Sequence, residues 1–215
     1  MLTVEMHRSF LLKVHSLDRT DIRDVQSYDV LFYLNQAQDI FIDKAIAEKN
    51  LEIIRPITDS QSVAHAAFVS TTGTYVTGIT GAEAVDLSAL TTFRTYLRSQ
   101  SVVTRTAVPA CTSVSVANKP IDALEVYQWE TNGTNKPIFT NPKEIREGKY
   151  LIVIADGFTS IESIEIVYVK TPTVLVLSTP ASDTCDLPAH VHQSIVDLAV
   201  QLSAETINVS DARKK

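Results

Sequence analysis

The sequence contains no run of about eighteen apolar residues, so no segment reads as a membrane-spanning helix. Its first residues, Met1 to Val14, interleave Glu5, His7, Arg8 and Lys13 with apolar positions, which excludes the pattern of a secretory signal. Cysteine is scarce. Cys111 and Cys185 are the only two, far apart and without a CxxC partner, and they read as separate buried thiols rather than a disulfide or a metal pair. Clustered positive charge is also missing: the net charge is −6, and only Arg213-Lys214-Lys215 forms a basic run. A broad face that neutralises phosphates is therefore excluded.

Catalytic signatures are lacking as well. Gly73, Gly78 and Gly81 have neither the Gly-Lys-Ser/Thr of a phosphate loop nor the dinucleotide spacing, and they read as turn glycines. There is no Gly-x-Ser-x-Gly elbow and no HExxH. One cluster brings a thiol, a carboxylate and two imidazoles together: Cys185-Asp186-Leu187-Pro188-Ala189-His190-Val191-His192. On a helix His190 and His192 would point roughly two hundred degrees apart and could not chelate one ion. The cluster then reads as a helix entry, with Cys185 packed as a small hydrophobe and His192 on a partly exposed side. A small metal-dependent hydrolase built on Cys185, His190 and His192 is the enzymatic alternative. The expectation is no enzyme, no catalytic residue, no metal and no cofactor.

What is present is a core-forming composition, 45% hydrophobic and 20% charged over 215 residues, with no internal repeat. Met6, Phe10, Val14 and Leu17 form one face of a helix from Thr3 to Leu17, with Thr3 as a possible cap. Ser27 sits where an N-cap would open a second helix running to about Lys49. Its stripe is Leu31, Leu34, Gln38, Phe41 and Ala45, and Val30, Phe32, Ile40 and Ile42 supply further apolar faces. Asn35, Gln36 and Gln38 are mediocre helix residues. They are either solvent-exposed or fix the register between subunits.

After Arg55-Pro56 the chain turns to Ser, Thr, Val and small residues. Thr91 to Arg98 fits a short helix or a strand. Strands are expected at Ala110–Val116, Ala123–Glu130, Tyr150–Ile154, Ile164–Val169 and Thr173–Leu177, the last two split by Pro172. Asn132-Gly133 signals a type I′ hairpin and Asp156-Gly157 a second tight turn. Trp129, Tyr127 and Tyr168 read as strand-packing residues. A closing helix begins near Pro188, with the stripe Val191, Ile195, Leu198, Ala199 and Leu202. The expected fold is α+β, an antiparallel β-sheet or sandwich body flanked by N-terminal and C-terminal helices. It is drawn as a single structural unit over residues 1–215. Its helical parts 1–50 and 187–209 pack together, and the β-rich body covers 56–180.

Two stretches carry a resemblance. One is Leu31-Phe32-Tyr33-Leu34-Asn35-Gln36-Ala37-Gln38-Asp39-Ile40-Phe41-Ile42. The other runs from Ile166-Val167-Tyr168-Val169-Lys170-Thr171-Pro172 through Cys185–His190 to Ile195–Val200 and Glu205–Asn208. Both resemble virion structural proteins of tailed phages, especially the crAss-like phages of gut Bacteroidota and their relatives. The resemblance implies a head-to-tail connector or tail ring protein, made in the host cytoplasm and resident in the virion. It further implies a homo-oligomeric ring, twelvefold like the portal, contacting portal and neighbouring ring proteins, with DNA passing through the lumen without specific binding. The interface residues expected on this reading are Asn35, Gln38, Phe41, Ile42, Ile195, Leu198 and Leu202. The segment Asp59 to Ala82 is expected to order on assembly by augmenting a neighbouring sheet. A tail-fibre or receptor-binding β module is the non-enzymatic alternative.

Overall fold

The structure is a computed structural model and describes residues 2–17, 26–72, 74, 76–105, 113–122, 124–126, 128, 136–177 and 184–212; side chains of residues 17 and 206–212 are not described. The fold is α+β, as expected. The chain divides into two compact units: a helical unit from residues 1–57 and 171–215, and a β unit from residues 58–170. No described helix is long and apolar enough to cross a membrane.

In the helical unit, helices α1 (Thr3–Leu17), α2 (Ser27–Ala47) and the closing helix α4 (His192–Ala212) pack against one another, and a single turn α3 (Leu51–Ile54) follows α2. Met6 and Phe10 of α1 are wholly buried, as their four-residue spacing requires. Thr3 is the first helical residue, and it is buried. On α2 the buried line is Val30, Leu34, Ala37, Gln38, Ile42 and Ala45. The stripe therefore lies about one residue away from the expected one, with Leu31 and Phe41 half-buried on its flank. Ser27 is not the cap; Gln26 holds that place, extended and without a side-chain cap bond. At the other end Lys49 takes the left-handed conformation, φ 53°, and the Asn50 N–H reaches back to the Ala45 carbonyl at 2.9 Å. With the Glu48 N–H on the Lys44 carbonyl and the Lys49 N–H on that of Ile46, three carbonyls of the last turn are satisfied. On α4, Ile195, Val196, Ala199 and Val200 are buried behind a 3-10 turn at Ala189–Val191, with Pro188 at its cap position.

Among the described residues the β unit holds two four-stranded sheets. The first has the order β1 (Thr58–Ala64), β8 (Thr159–Lys170), β3 (Phe93–Arg105), β4 (Val114–Ala117), antiparallel throughout. The second runs β2 (Ala82–Asp86), β7 (Tyr150–Ile154), β6 (Lys143–Glu147), β5 (Lys119–Pro120), antiparallel except for the parallel β5–β6 pair. One apolar cluster draws Val103, Ile161, Ile164, Ile166 and Tyr168 from the first sheet and Val85, Leu151 and Val153 from the second, so the two form a sandwich. Ile152 and Ile154 point the other way, into a second cluster with Ala84, Ile145, Val76 and Val126. β7 is therefore buried on both faces, which is why it is apolar at every position instead of alternating. A register shift opposite Val102 and Val103 lets Ile161 and Ile164, three apart, face the same cluster.

Several expected elements differ. Of Thr91–Arg98, Thr91 and Thr92 form a turn and Phe93–Arg98 is strand, the start of β3. Residues 124–126 and 128 are helical rather than strand, with Leu124 exposed and Val126 buried. Two apolar residues two apart do not separate the possibilities over so short a span. Asp156-Gly157 does turn the chain, but it carries β7 of one sheet into β8 of the other and closes no hairpin. The tight hairpin of this region is at Gly148, φ 57°, between β6 and β7. Thr173–Leu177 is not a strand of either sheet. The expected Asn132-Gly133 hairpin, Cys111, Trp129, Tyr127 and Gly73 lie outside the described residues.

Candidate assembly site

Asn and Gln inside a helix compete for backbone hydrogen bonds, so their presence in α2 calls for partners. The partners lie in the segment that follows β8. Asn35 Oδ1 accepts the Leu175 N–H at 2.7 Å, and its Nδ2 donates to the Leu175 carbonyl at 3.1 Å and to the Leu31 carbonyl at 2.8 Å. One side-chain amide thus takes both polar groups of a single residue, as a neighbouring strand would. Gln38, wholly inside the unit, donates through Nε2 to the Thr173 carbonyl at 3.3 Å and accepts from Cys185 Sγ at 3.7 Å. Asp186 accepts the Thr173 N–H at 2.8 Å. The stretch 171–177 runs without turn or bend.

The pairing fixes the other side. In extended backbone the N–H and C=O of alternate residues point to opposite edges. With residues 173 and 175 turned towards α2 and Asp186, Val174 and Val176 are turned away. Neither makes a backbone hydrogen bond among the described residues. Val174 and Val176 are 64% and 47% exposed, while Leu175 is buried. The result is a Val-Leu-Val-Leu segment with one edge fastened and the other free.

Among the other expected interface residues, Ile42 and Ile195 are completely buried inside the helical unit, and Phe41, Leu198 and Leu202 are half-buried. The open apolar surface of α2 belongs instead to Tyr28 (77% exposed), Phe32 (56%) and Ile40 (40%), and Leu12 of α1 is exposed as well. Phe32 is held edge-on against Tyr33, ring centroids 5.5 Å apart. Phe32 and Ile40 are two of the four residues read as extra apolar faces; the other two, Val30 and Ile42, are core.

The Cys185–His192 cluster resolves into packing. His192 is buried, contrary to the partly exposed position expected, because the 3-10 turn at its start folds its ring inward. Its Nε2–H donates to the Leu187 carbonyl at 2.7 Å, leaving Nδ1 buried without a partner, and burial lowers the imidazole's pKa. His190 is exposed. Burial raises the Cys185 thiol's pKa, which makes it a poor nucleophile. Among the described residues no three His, Cys, Asp or Glu side chains are placed to hold a metal.

The β unit holds a polar cluster that sequence reading missed. Glu144 on β6 is buried between the sheets, where Tyr96 Oη donates to one carboxylate oxygen at 2.5 Å and Ser99 Oγ to the other. Asn118 Nδ2 donates to Ser99 Oγ at 2.6 Å, and Ser101 Oγ to Asn118 Oδ1 at 2.8 Å. Burial raises the Glu144 pKa, opposed by the two hydroxyl donors. Both carboxylate oxygens are engaged, so the cluster fastens β3 to β6 rather than facing a substrate. A depression of about 360 Å³ on the same unit is floored by Val126 and Ile154; its carboxylate, Asp156, is committed to the Phe158 N–H at 3.1 Å and the Thr159 hydroxyl at 2.5 Å.

No protein-family model matches the chain, and no curated protein matches it.

Proposed function

We propose that the chain is a virion structural protein of a tailed phage, one subunit of a head-to-tail connector or tail ring that joins portal to tail and lets DNA pass. The reading rests on the resemblance in α2 and in the segment from β8 into α4. The observation that carries it is the surface built on α2: exposed Tyr28, Phe32 and Ile40, and the Val-Leu-Val-Leu segment with a free edge. Apolar side chains and unpaired backbone together are what subunit contacts cover. In this arrangement the helices form the ring's body, the β sandwich contacts the neighbours above or below, and the ring has twelve copies. A net charge of −6 per subunit, repeated around a ring, repels DNA from the wall and lets it slide.

The test is the mass of the purified protein, alone and mixed with the portal protein of the same genome, by native mass spectrometry or light scattering. A closed ring, alone or on portal, is the expected result and gives the copy number. A monomer indifferent to portal overturns the reading.

A further inference from the structure

A ring is closed by one contact repeated head to tail, so each subunit must carry both halves of that contact. One half is the free edge at Val174 and Val176. The other is found by asking which sheet edges are guarded against an incoming strand. The β2 edge is already covered by Val69, whose N–H donates to the Ala84 carbonyl at 2.8 Å. β5 is two residues long and contains Pro120, and β4 has only four residues. β1 is seven residues long, pairs with β8 without a register shift, and has no lysine, proline or bulge. Its residues Asp59 to Ser62 are exposed.

The Ser60 N–H is bonded to the exposed Asp59 carboxylate at 2.8 Å, so Ser60 is turned away from β8, and Ser62 with it by alternation. The outward pair Ser60 and Ser62 has the same two-residue spacing as Val174 and Val176. The Asp59 carboxylate is a solvent-exposed cover that water can replace. We infer that the 173–177 segment of one copy adds as a fifth strand to the outer edge of β1 in the next copy, Val174 and Val176 pairing with Ser60 and Ser62. This rests on the ring reading. Each copy has one such segment and one such edge, so closure leaves neither unpaired.

Proline separates assembly from folding here. The stretch 171–177 has no turn or bend, and neither Val174 nor Val176 makes a backbone hydrogen bond among the described residues, which suits a proline at either place. Val174→Pro and Val176→Pro are therefore expected to keep the melting temperature of the unsubstituted protein. They are expected to need about a hundredfold higher concentration to assemble, because each removes an outward donor and places a ring in the ladder. In a Cys111→Ser background, Val176→Cys combined with Ser60→Cys or Ser62→Cys is expected to give covalent multimers on oxidation. Rings that form equally well in the proline variants overturn the inference and leave the ring reading standing. Cross-links confined to one chain, or formed between two copies of Val176→Cys alone, overturn it too. An unsubstituted protein that stays monomeric with and without portal removes both.

Discussion

Replacing Asn35 with alanine tests whether a helix side chain does the work of a β-strand. The substitution deletes the acceptor of the Leu175 N–H at 2.7 Å and the donor to its carbonyl at 3.1 Å. At about 1 kcal/mol for each lost bond, with a further penalty for stranding two half-buried backbone groups, the loss is about 2–3 kcal/mol. Alanine recovers about 0.5 kcal/mol as the better helix former, leaving about 2 kcal/mol. For a unit of about 100 residues this lowers the melting temperature by roughly 8–16 °C. Amide hydrogen exchange gives a sharper readout. In the unsubstituted monomer the Leu175 N–H is protected while those of Val174 and Val176 exchange freely, and Asn35→Ala brings Leu175 to the rate of its neighbours. Asn35→Asp keeps the acceptor and loses the donor, so it retains Leu175 protection. An Asn35→Ala protein within about 0.5 kcal/mol of the original, with Leu175 still protected, would refute the reasoning.

Other outcomes follow from the same geometry. Gly81 has φ +80°, and an added Cβ would stand 2.7 Å from the Ala155 carbonyl oxygen, whereas Gly78, φ +83°, has open space. Gly81→Ala is expected to destabilise by about 2–4 kcal/mol and Gly78→Ala by about 1 kcal/mol in urea unfolding; equal effects would show that the close approach is immaterial. Burial lowers the folded-state pKa of both His7 and His192, so their neutral forms contribute stability that is present above pH 6.5 and lost as pH falls below it. The urea midpoint of the helical unit should drop between pH 7.5 and 5.5, and a flat profile would contradict this. Burial raises the folded-state pKa of Glu144, so its neutral form contributes stability that is complete below pH 4.5 and is lost as pH rises through the folded value. Glu144→Gln is expected to be at least as stable as the original at pH 8 and to lose that advantage near pH 4; a large deficit at pH 8 would mean the charge itself is stabilising.

Helix periodicity made α1, α2 and α4 legible, and an unbroken apolar run identified β7, because each pattern is produced by burial along a single element. Thr173–Leu177 alternates like a strand and runs without turn or bend, yet its pairing partners are the side chains of Asn35, Gln38 and Asp186. No period in the segment itself reports that. The same contacts explain why Asn35 and Gln38 stand out in the sequence without their partner being legible: an amide inside a helix signals a hydrogen bond, and the sequence does not say whether water, another chain or this one supplies it. Glu144 was invisible because Lys-Glu-Ile-Arg-Glu reads as a solvated edge. Its burial depends on Tyr96, Ser99 and Asn118, brought in by another sheet. Ile42 and Ile195 show the limit of an apolar stripe as evidence of an interface, since core and contact positions share one periodicity.

The helical unit is assembled from both sides of the β unit in the sequence, and this orders events during synthesis. Residues 58–170 are complete before His192 leaves the ribosome, so the sandwich can fold while α1 and α2 wait. Until α4 arrives, α1 and α2 lack the third helix of their unit, and a chain truncated before His192 leaves the apolar faces that pack on it exposed to chaperones and proteases. Thr173 to Leu177 likewise follows the sandwich in the chain. On the ring proposal, a nascent or truncated chain that ends before this segment lacks one half of the contact and would stay out of the ring.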